Sequence, residues 1–180
     1  MSKLVAALKA RSLAFNNFDD LLKAELYDLY DAEARIIAAL PKVAKAVTSS
    51  HLKAGILEHL QQTKQQKARL EQIFRRLGYD PKSHTCAAMK GLLEEGETII
   101  KSKGDPRVKD AAILAGAQRI EHYEIAAYGA ARAFAEEMGY ADVASLLQQT
   151  LDEEGQTDKK LTELAVNEVN QQARMAGAHT

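Results

Sequence analysis

The chain has 180 residues, 46% of them hydrophobic and 27% charged, which fits one soluble domain with a real core. A formal net charge of -1 supplies no field for nucleic acid or a membrane surface, and no apolar run approaches the ~20 residues of a membrane-spanning helix. The single cysteine, Cys86, excludes an intramolecular disulfide and a CxxC site, which suits a reducing cytoplasm.

Residues 1–15 are expected to form an N-terminal arm. Lys3, Lys9 and Arg11 surround a short apolar stretch that Lys9 breaks, so it is too short for a secretory segment. Residues 16–174 read as one helical bundle. Asn16, Asn17 and Asp19 offer N-cap oxygens for a first helix over 18–47, with Pro41 inside it as a candidate kink. Thr48, Ser49 and Ser50 punctuate the chain, and a second helix follows over 51–77, stopped by Gly78. After the connector 79–83, a short helix covers 86–101. Gly104, Asp105 and Pro106 end that piece and open the next, with proline at the first helical position. The third long helix covers 107–138 and stops at Gly139; the fourth covers 142–173. Residues 175–180 are expected to be a frayed tail.

No strand-like alternation is present, so the fold class is all-α. Short turns join the first long helix to the second and the third to the fourth, which makes two antiparallel hairpins. The connection between the hairpins is long and itself helical. That is the connectivity of a ferritin-like four-helix bundle with one crossover.

The chemistry lies on the inner faces. The third long helix has an apolar stripe through Leu114, Ala117, Tyr128 and Ala131, and continuing it at helical spacing runs through Glu121 and Glu124. The fourth places Glu154 and Asp158 on the stripe of Leu147, Leu151, Leu161 and Ala165. The first places Glu33 among Leu22, Leu26, Leu29, Ile36 and Leu40. A carboxylate on a dry face is costly unless it is paired, hydrogen-bonded or bound to metal. Two readings follow: buried ion pairs with Arg119, Arg132 or Lys160, or a shared cation. Carboxylate-rich donor sets suit iron or manganese.

A di-iron carboxylate bundle takes one Glu from each of two helices and a Glu-x-x-His motif from each of the other two. This chain departs from that pattern. Its second helix offers His59, Thr63 and Gln66, with Gln62 alongside, and the position three after Glu154 is Thr157. His59 reads either as a nitrogen ligand from a different turn or as a core histidine. His122 is turned roughly 100° from Glu121 by the helical step.

Several stretches carry a family resemblance: Tyr30–Ala34 (YDAEA), His59–Thr63 (HLQQT), Arg69–Phe74 (RLEQIF), Cys86–Glu95 (CAAMKGLLEE), Arg119–Gly129 (RIEHYEIAAYG), and Thr150–Glu154 (TLDEE) with Thr157, Asp158 and Lys160–Thr162. In these the chain resembles the YciE/YciF-like bacterial stress proteins, more distantly similar to rubrerythrin, from about Phe18 to Asn170. The resemblance implies a ferritin-like bundle, a binuclear metal site, a stress-response role and a homodimer, with no settled reaction. The expected metal ligands are Glu33, His59, Glu121, Glu124, Glu154 and Asp158, holding one or two iron or manganese ions. If the site is redox-active, peroxide or oxygen is the expected substrate and an external redox partner is required. Where this chain has Gln61 and Gln62, family members often carry Glu, which lowers the negative charge available here. The alternative is a non-enzymatic dimeric stress scaffold with a partly degenerate site.

Overall fold

The computed structural model describes residues 15–81 and 84–176, and the N-terminal arm expected over 1–15 lies outside it apart from Phe15. The elements are α1 (Phe18–Ala46), α2 (Ser50–Leu77), α3 (Ala87–Lys101), α4 (Pro106–Glu137), α5 (Ala141–Leu164), a π-helical turn (Ala165–Val169) and α6 (Asn170–Ala176). The expected all-α class holds among the described residues.

The helix ends follow the local chemistry. The Asn17 side chain accepts from the Asp20 amide at 2.8 Å and opens α1. The Ser49 hydroxyl accepts from the Leu52 amide at 3.2 Å and opens α2. Gly78 closes α2 with φ of 68°, a left-handed conformation that favours glycine. Cys86 caps α3 through its sulfur, which accepts from the Met89 amide at 3.3 Å and lies 3.0 Å from the Tyr123 hydroxyl. Asp105 caps α4 with Pro106 at its first position, and Gly139, at φ of 75°, follows its end. Pro41 does not terminate α1, which continues to Ala46.

Two apolar layers fix the topology. One joins Leu22, Leu26 and Leu29 of α1 to Leu70, Ile73 and Phe74 of α2, Tyr128, Ala131 and Ala135 of α4, and Val143 and Leu147 of α5. The other joins Ala44 and Val47 to Leu52, Ile56, Ile113, Leu114, Leu161 and Val169. The start of α1 therefore shares an end with the close of α2, the close of α4 and the start of α5. Helices α1/α2 and α4/α5 are antiparallel, while α2 and α4 are parallel. Consecutive long helices that run parallel require a connection that returns the length of the bundle. Helix α3 lies on that connection and packs on α1 and α4, Cys86 and Met89 meeting Ala32 and Ile36 of α1 and Ile120 and Tyr123 of α4. This is the ferritin-like arrangement with one crossover.

The expected single fourth helix is corrected in one respect: a π turn interrupts it at Ala165–Val169. Leu161, Ala165 and Val169 are all buried. Steps of four residues drift off a regular α-helical stripe, and a wider turn brings them back onto one face. The same turn aims Glu168 at the α1–α2 connection, where its carboxylate accepts from the Ser49 hydroxyl at 2.9 Å and lies 2.5 Å from the His51 ring. Helix α6 extends to Ala176, so the first two residues of the expected tail are helical; the remainder lies outside the described residues.

Candidate metal centre

Between the two apolar layers lies a polar one. Glu33 of α1, His59, Thr63 and Gln66 of α2, Glu121 and Glu124 of α4, and Thr150, Glu154 and Thr157 of α5 are all buried. Each occupies the inner position its helical stripe demands, and the layer sits at mid-height because the residues above and below it on every helix are aliphatic or aromatic.

His59, Glu121, Glu124 and Glu154 each offer one donor atom, and these four atoms lie within 4.8 Å of one another. The His59 Nε2 is 3.4 Å from Glu121 Oε1 without hydrogen-bonding geometry. Glu33 flanks this quartet, with Tyr128 donating to its Oε1 from α4. Gln66 donates to Glu154 Oε1 and, at 3.1 Å, to Glu153 Oε2. Arg69 completes this support through Glu153, at 2.5 Å, and the Thr150 hydroxyl, at 2.8 Å.

The remaining atoms have no such support. Glu33 Oε2, both ring nitrogens of His59, Gln66 Oε1, Glu121 Oε2, Glu124 Oε1 and Glu154 Oε2 are buried without a hydrogen-bond partner. Orphaned buried polar atoms are rare in native proteins, and so many in one place require an explanation. The ion-pair reading does not supply one. Arg119 pairs with Glu95, Arg132 with Glu136 and Lys160 with Glu58, all away from the cluster. Arg69, the nearest guanidinium in the layer, is engaged by Glu153.

The electrostatic consequence is clear. Burial and mutual repulsion with Glu154 push the Glu33 and Glu121 carboxyls well above the usual carboxylate range. Burial and then Glu33 do the same to Glu124. Glu154 is raised to about 7, chiefly by burial, although the hydrogen bond from Gln66 opposes the rise. His59 is lowered to about 4 by burial, so its imidazole is neutral at physiological pH and cannot neutralise the acids. The cluster is relieved either by protons or by a cation. Neutral imidazole and carboxylate oxygen are both good ligands for first-row divalent metals, and the unpartnered atoms are the donor atoms such an ion needs. The residues present therefore fit an iron or manganese site.

Five of the six expected ligands are brought to this layer, and Asp158 is not. Its carboxylate accepts from the Gln118 amide at 3.1 Å and lies 3.3 Å from His122, at the α4–α5 seam. From Glu154, the inner face of α5 continues through Thr157 rather than Asp158. Steps of three and of four fall on opposite sides of a stripe, so Asp158 turns outward. Gln66 and Thr63 are core polar groups as expected, the Thr63 hydroxyl donating to the His59 carbonyl at 2.8 Å. Sequence reasoning missed Arg69 and Glu153. The available signal was an arginine one step from Leu70 on a buried helix face.

Comparison with known proteins supports the architecture. The family model described as a domain of unknown function (DUF892) matches residues 17–174. Protein YciF of Escherichia coli (strain K12) is 42% identical over 156 residues, covering 86% of this chain and 94% of that protein. The crystal structure of the E. coli stress protein YciF superposes with a TM-score of 0.84 at 41% identity, covering 87% of this chain and 99% of that one. YcfI, a putative structural protein from Rhodopseudomonas palustris, gives a TM-score of 0.80 at 40% identity, covering 85% and 96%. A Xanthomonas campestris protein at 21% identity and TM-score 0.72, covering 88% and 98%, shares the fold. With the bundle, its polar layer and these relatives together, the chain belongs to the DUF892 family of YciF-like proteins.

Proposed function

We propose that the polar layer is a carboxylate-rich metal centre for iron or manganese, and that the protein works as a ferritin-like stress protein acting on peroxide or oxygen. One observation carries this reading: seven unpartnered buried polar atoms in one layer, on side chains from α1, α2, α4 and α5, with no basic group among the described residues in an ion pair with these acids. Glu121, Glu124, Glu154 and His59 would hold the metal, with Glu33 beside them.

A bound iron or manganese ion supplies a Lewis acid and a redox couple. The chain supplies position and a dry environment. Tyr128 fixes Glu33 in one rotamer, and Gln66 does the same for Glu154. Arg69 and Glu153 brace Gln66 from outside. The apolar layers exclude water from both ends of the bundle, which keeps the carboxylates available to the cation. Gln66 stands where a carboxylate would complete a more highly charged site, so one or two ions per chain fit the donor set. Redox turnover requires an external electron donor.

Elemental analysis of untagged protein, with and without added ferrous and manganous ion, tests this reading. We expect one or two ions per chain, and their loss in Glu121→Ala. Protein without metal and without affinity for either ion overturns it.

A second reading is favoured by the amides at 62 and 66 and by the description of the R. palustris relative as a putative structural protein. It is a dimeric stress scaffold acting through its surface, with the acids retained but not used. It predicts normal folding and self-association of a Glu121→Gln/Glu154→Gln protein, and no oxidase or peroxidase turnover in the parent.

A further inference from the structure

A cavity of about 410 Å³ opens between α1, α2, α3, α4 and α5 and runs inward to His59 and Glu121. Its walls are aliphatic, including Ile36, Leu40, Ile99 and Ile113. At its inner end, both ring nitrogens of His59 and Glu121 Oε2 lack hydrogen-bond partners, and both side chains are more than nine-tenths buried. Oxygen or peroxide needs little more than the ~30 Å³ of a water molecule, so the cavity is far larger than either requires. A dry engineered cavity of ~150 Å³ admits benzene, which makes this one large enough for an aliphatic chain of roughly eight to ten carbons.

The charge pattern narrows the ligand further. At the rim, Lys160 pairs with Glu58 at 2.9 Å, Lys42 with Glu97 at 3.7 Å and Lys90 with Glu94 at 3.7 Å, so its bases are balanced by acids. The inner end faces the buried carboxylates of Glu121, Glu124 and Glu154. In metal-free protein an anionic head placed there would be desolvated with no cation beside it. A neutral hydroxyl can both donate to a carboxylate and accept from an imidazole N–H.

We propose that this cavity is a binding site for a neutral aliphatic molecule with one hydroxyl-bearing head, an alcohol or hydroperoxide, directed inward at His59 and Glu121. The inference deepens the proposed function and rests on the polar layer being a reaction site. It assigns that site an alkyl-chain substrate class in addition to small oxidants.

Calorimetric titration of the purified protein with 1-octanol tests it, with octanoate as the charged comparison and metal content measured on the same samples. In metal-free samples we expect one 1-octanol per chain, and octanoate weaker by at least about tenfold because its carboxylate would be buried with no cation beside it. Gly116 lines the cavity, and a Cβ added there meets only Ile99 Cδ1, at 3.8 Å. Gly116→Phe should fill the space, weakening 1-octanol about tenfold or more by removing apolar contact, without changing metal content. Should that variant fail to fold, Gly55→Phe fills the cavity from α2, where an added Cβ has no neighbour within 4 Å. Absence of 1-octanol binding overturns the proposal. So does equal affinity for octanoate in metal-free samples, or unchanged binding in a folded glycine variant. Metal without 1-octanol binding removes this inference alone. 1-Octanol binding without metal removes the metal reading and leaves the cavity assignment in place.

Discussion

Asp110 and Glu121 are both buried carboxylates on α4, each 2% exposed, and their surroundings are opposite. Asp110 accepts from the Thr48 amide at 3.0 Å, the Thr48 hydroxyl at 2.7 Å and the Ser49 amide at 2.7 Å. It ties the α1–α2 connection to the start of α4, and the chain itself supplies every donor. Glu121, about three turns further along the helix, keeps Oε2 without a donor and has Glu154 and Glu124 as neighbours. The same side-chain chemistry at the same burial thus serves two ends. Where the chain satisfies an acid, that acid is structural. Where the chain brings acids together and leaves them short of donors, the proposed metal is the partner that would complete them.

This contrast can be broken most sharply at Asp110. Asp110→Ala strands two amides and a hydroxyl, and should destabilise the protein by about 3 kcal/mol in denaturant titration, with metal content per folded chain unchanged. A loss below about 0.5 kcal/mol would remove the structural half of the comparison.

The second effect is on pH dependence. In metal-free protein, Glu154 is raised from an ordinary 4.5 to about 7, and Glu33, Glu121 and Glu124 are raised as well. Between the unfolded and folded values the unfolded state binds fewer protons, so stability falls as pH rises. Melting temperature of metal-free protein should therefore decline from about pH 5 upward through neutrality. Added manganous ion should reverse the decline, because its ligands must be deprotonated to bind. A metal-free protein that gains stability over this range would show the acids to be satisfied internally.

Smaller effects sharpen the site. Tyr128→Phe removes the donor to Glu33 and should lower metal affinity about tenfold, at a cost near ~1 kcal/mol in stability; equilibrium dialysis and chemical denaturation read the two separately. Arg69→Met should cost about 1 kcal/mol or less, since Glu153 is partly exposed and can turn to water, and its effect on metal affinity should be smaller than that of Tyr128→Phe.

Much of the architecture is legible in the sequence because it is written locally. Asn17, Gly78, Pro106 and Gly139 punctuate the helices, and the apolar stripes of α1, α4 and α5 give the inner faces that carry Glu33, Glu121, Glu124 and Glu154. What is not legible depends on angles and partners. Asp158 and Thr157 are equally compatible with a stripe through Glu154, and only the packing of α5 on α4 turns Asp158 toward Gln118 and His122. The π turn at Ala165–Val169 arises from buried residues spaced by four, a pattern that α-helical periodicity tolerates over one step but not two. The Arg69–Glu153 pair and the Asp110 knot join residues far apart in the chain, so neither leaves a spacing to read.

The most direct measurement is thermal unfolding at pH 7.5, with and without manganous ion, of the parent protein and of Glu121→Gln/Glu154→Gln. The ion should raise the melting temperature of the parent by several degrees, as linkage requires of a ligand in excess of its Kd, and leave that of the variant unchanged. The metal-free variant should melt above the metal-free parent, since two buried acids have been removed. Equal responses to the ion in both proteins, or a metal-free variant that melts below the parent, would contradict the metal reading.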